Sequence, residues 1–200
     1  MKDNLTRRDA IMGLAAILVA ASGGQALAAR SPEDYVKSLT ERVISLANSG
    51  ATGKALRLRF ASLLENYVNL RSISNFALGQ YQKKLNPRDR DEFNNLVSNY
   101  AAALFVYYVD DFKGTGIEII DSSKQGNFST IKSAIVRQNG GKENMRWRLV
   151  STGGGYKVSD VNLKGIWMTI SMRKRFNDVL NRSKGDFEVL FAELREAETW

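Results

Sequence analysis

The sequence predicts one α+β domain: helices first, then a four-stranded antiparallel sheet, then helices again. Three observations carry that reading. Apolar residues recur at helical spacing as far as Gly114, alternate at the strand period between Gly116 and Leu163, and return to helical spacing afterwards. Glycine-rich turns separate the alternating runs, as at Asn139-Gly140-Gly141 and Gly153-Gly154-Gly155. No internal repeat, low-complexity tract or linker divides the chain of 200 residues.

Residues 1–28 read as an export signal, to be removed before the domain acts. Lys2, Arg7 and Arg8 form a basic start, an apolar stretch runs from Ala10 to Ala21, and Ala26-Leu27-Ala28 is an A-x-A cleavage site. Thr6-Arg7-Arg8-Asp9-Ala10-Ile11-Met12 partly matches a twin-arginine signal, with Ala10 and Met12 departing from the usual Phe and Lys. The remaining residues 29–200 make the single folded domain.

The elements follow in order. Ser31-Pro32-Glu33-Asp34 starts a helix with a capping hydroxyl, a proline in the first turn and acids at its positive end. Its stripe is Val36, Leu39, Val43, Leu46 and Ala47, and Asn48-Ser49-Gly50 stops it. A second helix is expected over 53–70, with Leu56, Phe60, Leu63, Leu64, Tyr67 and Val68 on one face. A short third carries Ile73, Phe76, Ala77, Leu78 and Tyr81. Asn86-Pro87 opens a long fourth, striped by Phe93, Leu96, Val97, Tyr100, Leu104, Tyr107 and Tyr108 and closed by Lys113-Gly114.

Four strands are expected: Gly116 to Asp121, Phe128 to Gln138, one holding Met145, Trp147 and Leu149, and one from Tyr156 to Leu163. In the last, Tyr156 and Val158 fall on one parity and Val161 and Leu163 on the other; a bulge near Ser159-Asp160 reconciles them. Helices over 166–182 and 186–198 complete the chain.

Composition narrows the function. The chain has no cysteine and no histidine. That excludes disulfides, thiolate metal sites, cysteine nucleophiles, imidazole metal sites and a Ser-His-Asp triad. No calcium-loop pattern occurs, so neither metal nor cofactor is expected. Asp110-Asp111 are neighbours on a helix and cannot face one site together. Asp160, beside the bulge, is a turn carboxylate on the simplest reading and the one acid that an enzyme of this fold would use with a tyrosine.

The net charge is +8, and 26 basic against 19 acidic residues leave +7 once 1–28 are removed. Lys83, Lys84, Arg88 and Arg90 cluster near one helix start, and Arg173-Lys174-Arg175 in a late helix. In an exported protein such clusters are either solvated faces or contacts for anionic membranes and acidic proteins; nucleic acid is not an expected partner.

Two stretches bring a family into view. Leu78-Gly79-Gln80-Tyr81 followed by Asn86-Pro87-Arg88-Asp89-Arg90-Asp91-Glu92-Phe93, and Tyr156-Lys157-Val158-Ser159-Asp160-Val161 through Lys164-Gly165-Ile166, resemble the conserved passages of the MlaC-type (toluene-tolerance) periplasmic phospholipid-binding proteins. Phe176 and the helix from Gly185 fit the same order. Tyr156, Lys164 and Trp167 depart from the family's usual Trp, acid and Ser.

The resemblance implies a fold similar to nuclear transport factor two, enclosing a deep apolar cavity. It also implies a monomeric, non-catalytic carrier in the periplasm. Its ligand would be a phospholipid, or alternatively a hopanoid or other isoprenoid lipid. Its partners would be an inner-membrane ABC transporter with an MCE-domain protein and an outer-membrane lipoprotein complex. From apolar character and expected facing, the lipid-binding wall is assigned to Phe60, Leu64, Tyr67, Val68, Phe76, Tyr81, Tyr100, Leu104 and Tyr108 from the helices. Ile119, Val136, Trp147, Leu149, Val161, Leu163, Ile166, Met168 and Ile170 are assigned from the sheet and the helix after it. A charge at Leu149 is then expected to weaken lipid binding. A solid core behind basic faces would instead make the protein a membrane adaptor.

Overall fold

Ser31 caps the first helix, its hydroxyl accepting the Asp34 N–H at 3.0 Å. From there the structure, a computed structural model, describes residues 31–199; the expected export signal lies outside the described residues. Helix α1 (Pro32–Ala47) is followed by α2 (Gly53–Tyr67), α3 (Leu70–Leu78) and α4 (Arg90–Tyr107). Five strands come next: β1 (Gly116–Gln125), β2 (Phe128–Val136), β3 (Lys142–Thr152), β4 (Gly155–Leu163) and the two-residue β5 (Ile166–Trp167). Helices α5 (Met168–Arg182) and α6 (Phe187–Glu196) close the domain. The α+β architecture expected from the sequence is the one observed, with one more strand.

The sheet is antiparallel throughout, in the order β1-β2-β3-β4-β5. The fifth strand escapes pattern reading because two residues cannot display an alternation. They pair with Leu163 and Asn162 across the Lys164-Gly165 turn, where both residues have positive φ. Strand β1 runs beyond its expected end at Asp121, paired with β2 as far as Gln125; this outer half is polar on both faces and exposed, so no apolar alternation marks it.

The bulge in β4 falls at Ser159: Arg148 pairs with Asp160, and Leu149 with Val158. One extra residue thereby puts Val158, Val161 and Leu163 opposite Leu149, Trp147 and Met145, all on one face.

The helix expected over 53–70 breaks at Val68. There the backbone leaves the helix for a parallel bridge to Val158, and Asn69 N–H donates to the Val158 carbonyl at 2.8 Å. Asn69 then caps α3, accepting the Ser72 N–H. Tertiary pairing has overridden helix continuity. Gly114 ends the α4 region for a reason of space. A Cβ there would lie 2.6 Å from the Val136 carbonyl oxygen and from Ile135 Cγ2, so only glycine lets the chain pass the sheet so closely.

Two apolar cores result. One lies among α3, α4, α5 and α6, with Phe93, Phe176 and Phe191 at its centre. The other joins α1, α2 and Phe105 of α4 to the concave face of the sheet through Ile131, Ile135, Trp147 and Leu149. Among the described residues no helix is long and apolar enough to cross a membrane.

Candidate functional site

An apolar cavity of about 170 Å³ lies on the seam between the two cores. Val97 and Met172 reach it from the helical core, and Leu39, Val43, Phe105, Met145 and Trp147 from the sheet core. Its remaining walls come from α2 (Phe60, Leu63, Leu64), the break at Val68, α3 (Leu70, Ile73), α4 (Ala101, Leu104), Tyr108 and Phe112 beyond it, β4 (Val158, Val161, Leu163) and α5 (Met168, Thr169). Phe60 and Phe105 stack with centroids 3.8 Å apart, joining α2 to α4. Trp147 spends its indole N–H on the buried Ser133 hydroxyl at 3.0 Å, leaving an all-carbon surface for the cavity.

Among the described residues Asp160 is the one charged residue of the wall. It is buried, and its carboxylate is fully engaged. Oδ1 accepts the Val161 N–H at 2.9 Å and the Thr169 N–H at 3.1 Å; Oδ2 accepts the Thr169 hydroxyl at 2.7 Å. Arg148 adds a longer ion pair at 3.7 Å, its guanidinium lying 4.4 Å over the Trp167 ring. Helix α5 receives no side-chain cap from its own preceding residue Trp167, so Asp160 supplies the cap from the neighbouring strand. Among the described residues no tyrosine hydroxyl is a partner of the carboxylate, and the geometry is that of a clamp.

Ion pairs brace one edge of the cavity. Lys164, next to Leu163, donates to Asp111, next to Phe112, at 2.8 Å. Asp111 also faces Arg137 at 3.7 Å, and Arg137 pairs with Glu143 at 3.3 Å. The hydrogen bond to Asp111 is the main reason the Lys164 ammonium holds its proton above the usual lysine range.

The structure brings half of the sequence-assigned wall together. Phe60, Leu64, Val68, Leu104, Tyr108, Trp147, Val161, Leu163 and Met168 line the cavity. The other nine lie elsewhere. Leu149 is fully buried in the sheet core, flanked in its ladders by Ser129 and Val158. Tyr81 is committed to the helical core, its hydroxyl donating to Asn181 at 2.7 Å. Tyr100 packs edge-on against Phe176 and turns its other side to an outer groove. Tyr67 stacks obliquely on Tyr35, whose hydroxyl donates to the Tyr67 carbonyl at 2.9 Å. Phe76 is exposed beneath the Arg173 guanidinium. Ile119 and Val136 are half-buried toward the β1 side of the sheet, and Ile166 and Ile170 face solvent.

Leu39 and Val43 of α1 were legible as a core stripe, but nothing in their spacing says that their stripe ends on open space. Ala101 is too small to stand out in any apolar count, and Phe112 follows the end of α4 in a 3-10 turn outside the helical register.

A helix layer and a curved antiparallel sheet closed on an apolar cavity define an α+β domain with an interior suited to a hydrophobic ligand. The chain belongs to the MlaC protein family, whose model matches residues 37–196. Among solved structures it is similar in fold to a phospholipid-binding protein from Ralstonia solanacearum, described as in complex with a phospholipid. The two share 14% identity with a TM-score of 0.69, over 86% of this chain and 97% of that one. A protein from Campylobacter jejuni described as NTF2-like aligns at 16% identity and TM-score 0.36, over 64% of this chain and 97% of that one. No curated protein matches the sequence.

Proposed function

We propose that this chain is a lipid carrier that holds acyl chains in the apolar cavity and shuttles phospholipid across the periplasm. The observation that carries the reading is the cavity wall: among the described residues it is almost entirely carbon, and the Asp160 carboxylate is turned onto Thr169. Membership of the MlaC family and the likeness to a protein solved with phospholipid support it. Such a carrier would donate to and accept from an inner-membrane ABC transporter with an MCE-domain protein and an outer-membrane lipoprotein complex. It would act as a monomer after losing residues 1–28.

Each buried CH₂ gains roughly 0.8 kcal/mol over water, so two tails of about fifteen CH₂ each make free diffusion through water prohibitive. A carrier replaces the bilayer interior and leaves the charged head outside, because burying an unpaired charge is costly. No step needs a catalytic group.

The size of the cavity adds a condition. Roughly 150 Å³ suffices for a benzene-sized guest, and drug-sized ligands fill roughly 300–1,000 Å³. At about 170 Å³, this interior takes a short hydrocarbon segment as it stands. Two tails require the walls to part. The hydrogen-bonded ladders of β1 to β4 tie the sheet side, so the helices must give.

Purified protein examined by native mass spectrometry should carry a bound phospholipid, and Val161→Phe, which fills the cavity with a ring, should lower occupancy at least tenfold. Well-folded wild-type protein that neither carries lipid nor takes it up from vesicles overturns the proposal. Recovery of a hopanoid or other isoprenoid lipid instead would keep the carrier and replace its cargo.

A further inference from the structure

Beside the cavity, α4 and α5 form an outer groove lined by Tyr100, Leu104, Tyr107, Tyr108 and Arg175. Leu104 of α4 and Tyr108 just beyond its end line both cavity and groove, so the two share that stretch of wall. The chemistry changes along that wall. Inside it is carbon. Outside it presents two phenols and a cation: Tyr107 is 71% exposed, Tyr108 47%, and their rings meet edge to face at 4.8 Å. Arg175 lies 5.7 Å over the Tyr100 ring and is held by Glu193 at 2.7 Å. The guanidinium is therefore pre-positioned, yet its side chain is 45% exposed.

Large aromatic rings left in water are unfavourable unless something covers them, and Tyr is suited to a boundary with one apolar and one wet side. A guanidinium fixed beside such a boundary matches the fork geometry of phosphate oxygens. We propose that this groove is the seat of a lipid phosphodiester, with Arg175 pairing the phosphate and Tyr107 and Tyr108 flanking the glycerol while the tails pass Leu104 into the cavity. The proposal rests on the carrier reading and adds to it a site that selects phosphate-bearing lipids over neutral ones.

The test is a competition for uptake from vesicles containing equal amounts of a phosphatidylglycerol and a diacylglycerol with the same tails, read by mass spectrometry of the lipid bound to the full domain. Wild type is expected to favour the phospholipid at least tenfold, roughly the worth of one charge-assisted pair. In Arg175→Gln the ratio should fall close to one, and Arg175→Lys should restore part of it. Tyr107→Ala, at a site too exposed to burden the fold, should lower the ratio several-fold. A ratio near one in wild type, or a ratio unchanged in Arg175→Gln and Tyr107→Ala, overturns the headgroup seat while leaving the lipid carrier intact. Uptake of neither lipid by wild type overturns both.

Discussion

Thr169 donates both its backbone N–H and its hydroxyl to Asp160, at 3.1 and 2.7 Å. This two-point clamp fixes the start of α5 to β4 and so sets one wall of the cavity. Loss of a charged acceptor facing buried donors costs about 1–3 kcal/mol. Asp160→Asn, which replaces one carboxylate oxygen by an NH₂ donor, is expected to lower stability by that amount, with a fall of roughly 2–4 °C in Tm per kcal/mol for a domain of this size. Urea and thermal unfolding check it. An unchanged midpoint would show the clamp to be idle and return Asp160 to the list of candidate chemical groups.

How much of this was legible in the sequence depends on what each residue's neighbours decide. The helix–sheet–helix order follows from the change of apolar period, and the Ser159 bulge from the parity break between Val158 and Val161, because both are local patterns. Whether an apolar stripe ends on a packed neighbour or on a cavity is not local. Tyr100 and Leu104 share one helical stripe; Tyr100 packs on Phe176, and Leu104, one turn on, borders the cavity. Leu149 and Trp147 share one strand face, yet only Trp147 reaches the open space. That choice is made by the gap between two cores, which no single segment encodes.

Leu149 and Leu163 separate the core from the cavity wall. Leu149 is completely buried, so Leu149→Glu strands a carboxylate among packed carbon and should cost about 3–5 kcal/mol, enough to unfold much of the population. Leu163 is half-buried on the cavity edge beside the Lys164–Asp111 ion pair. Leu163→Glu should therefore keep the far-ultraviolet circular dichroism of the wild type while its bound lipid falls at least tenfold. If Leu149→Glu folds normally and loses only lipid, Leu149 belongs to the cavity wall and not to the core.

Burial, reinforced by Tyr67, pushes the Tyr35 phenol well above the usual tyrosine range. Burial also raises Tyr100, although Arg175 pulls the other way. A group held protonated in the fold but free to ionise at about pH 10 in the unfolded chain contributes stability that is intact below that pH and is lost as pH rises further. Lys164, raised by its hydrogen bond to Asp111, shifts in the same direction but is exposed. The urea midpoint should accordingly be level between about pH 7 and 9 and fall steeply above about pH 10, near the unfolded tyrosine value. Tyr35→Phe removes the phenol along with its bond to the Tyr67 carbonyl. It should start from a lower plateau and decline more gently, which separates the contribution of Tyr35 from that of Lys164. Parallel alkaline limbs in the two proteins would mean that the buried phenol does not govern the loss.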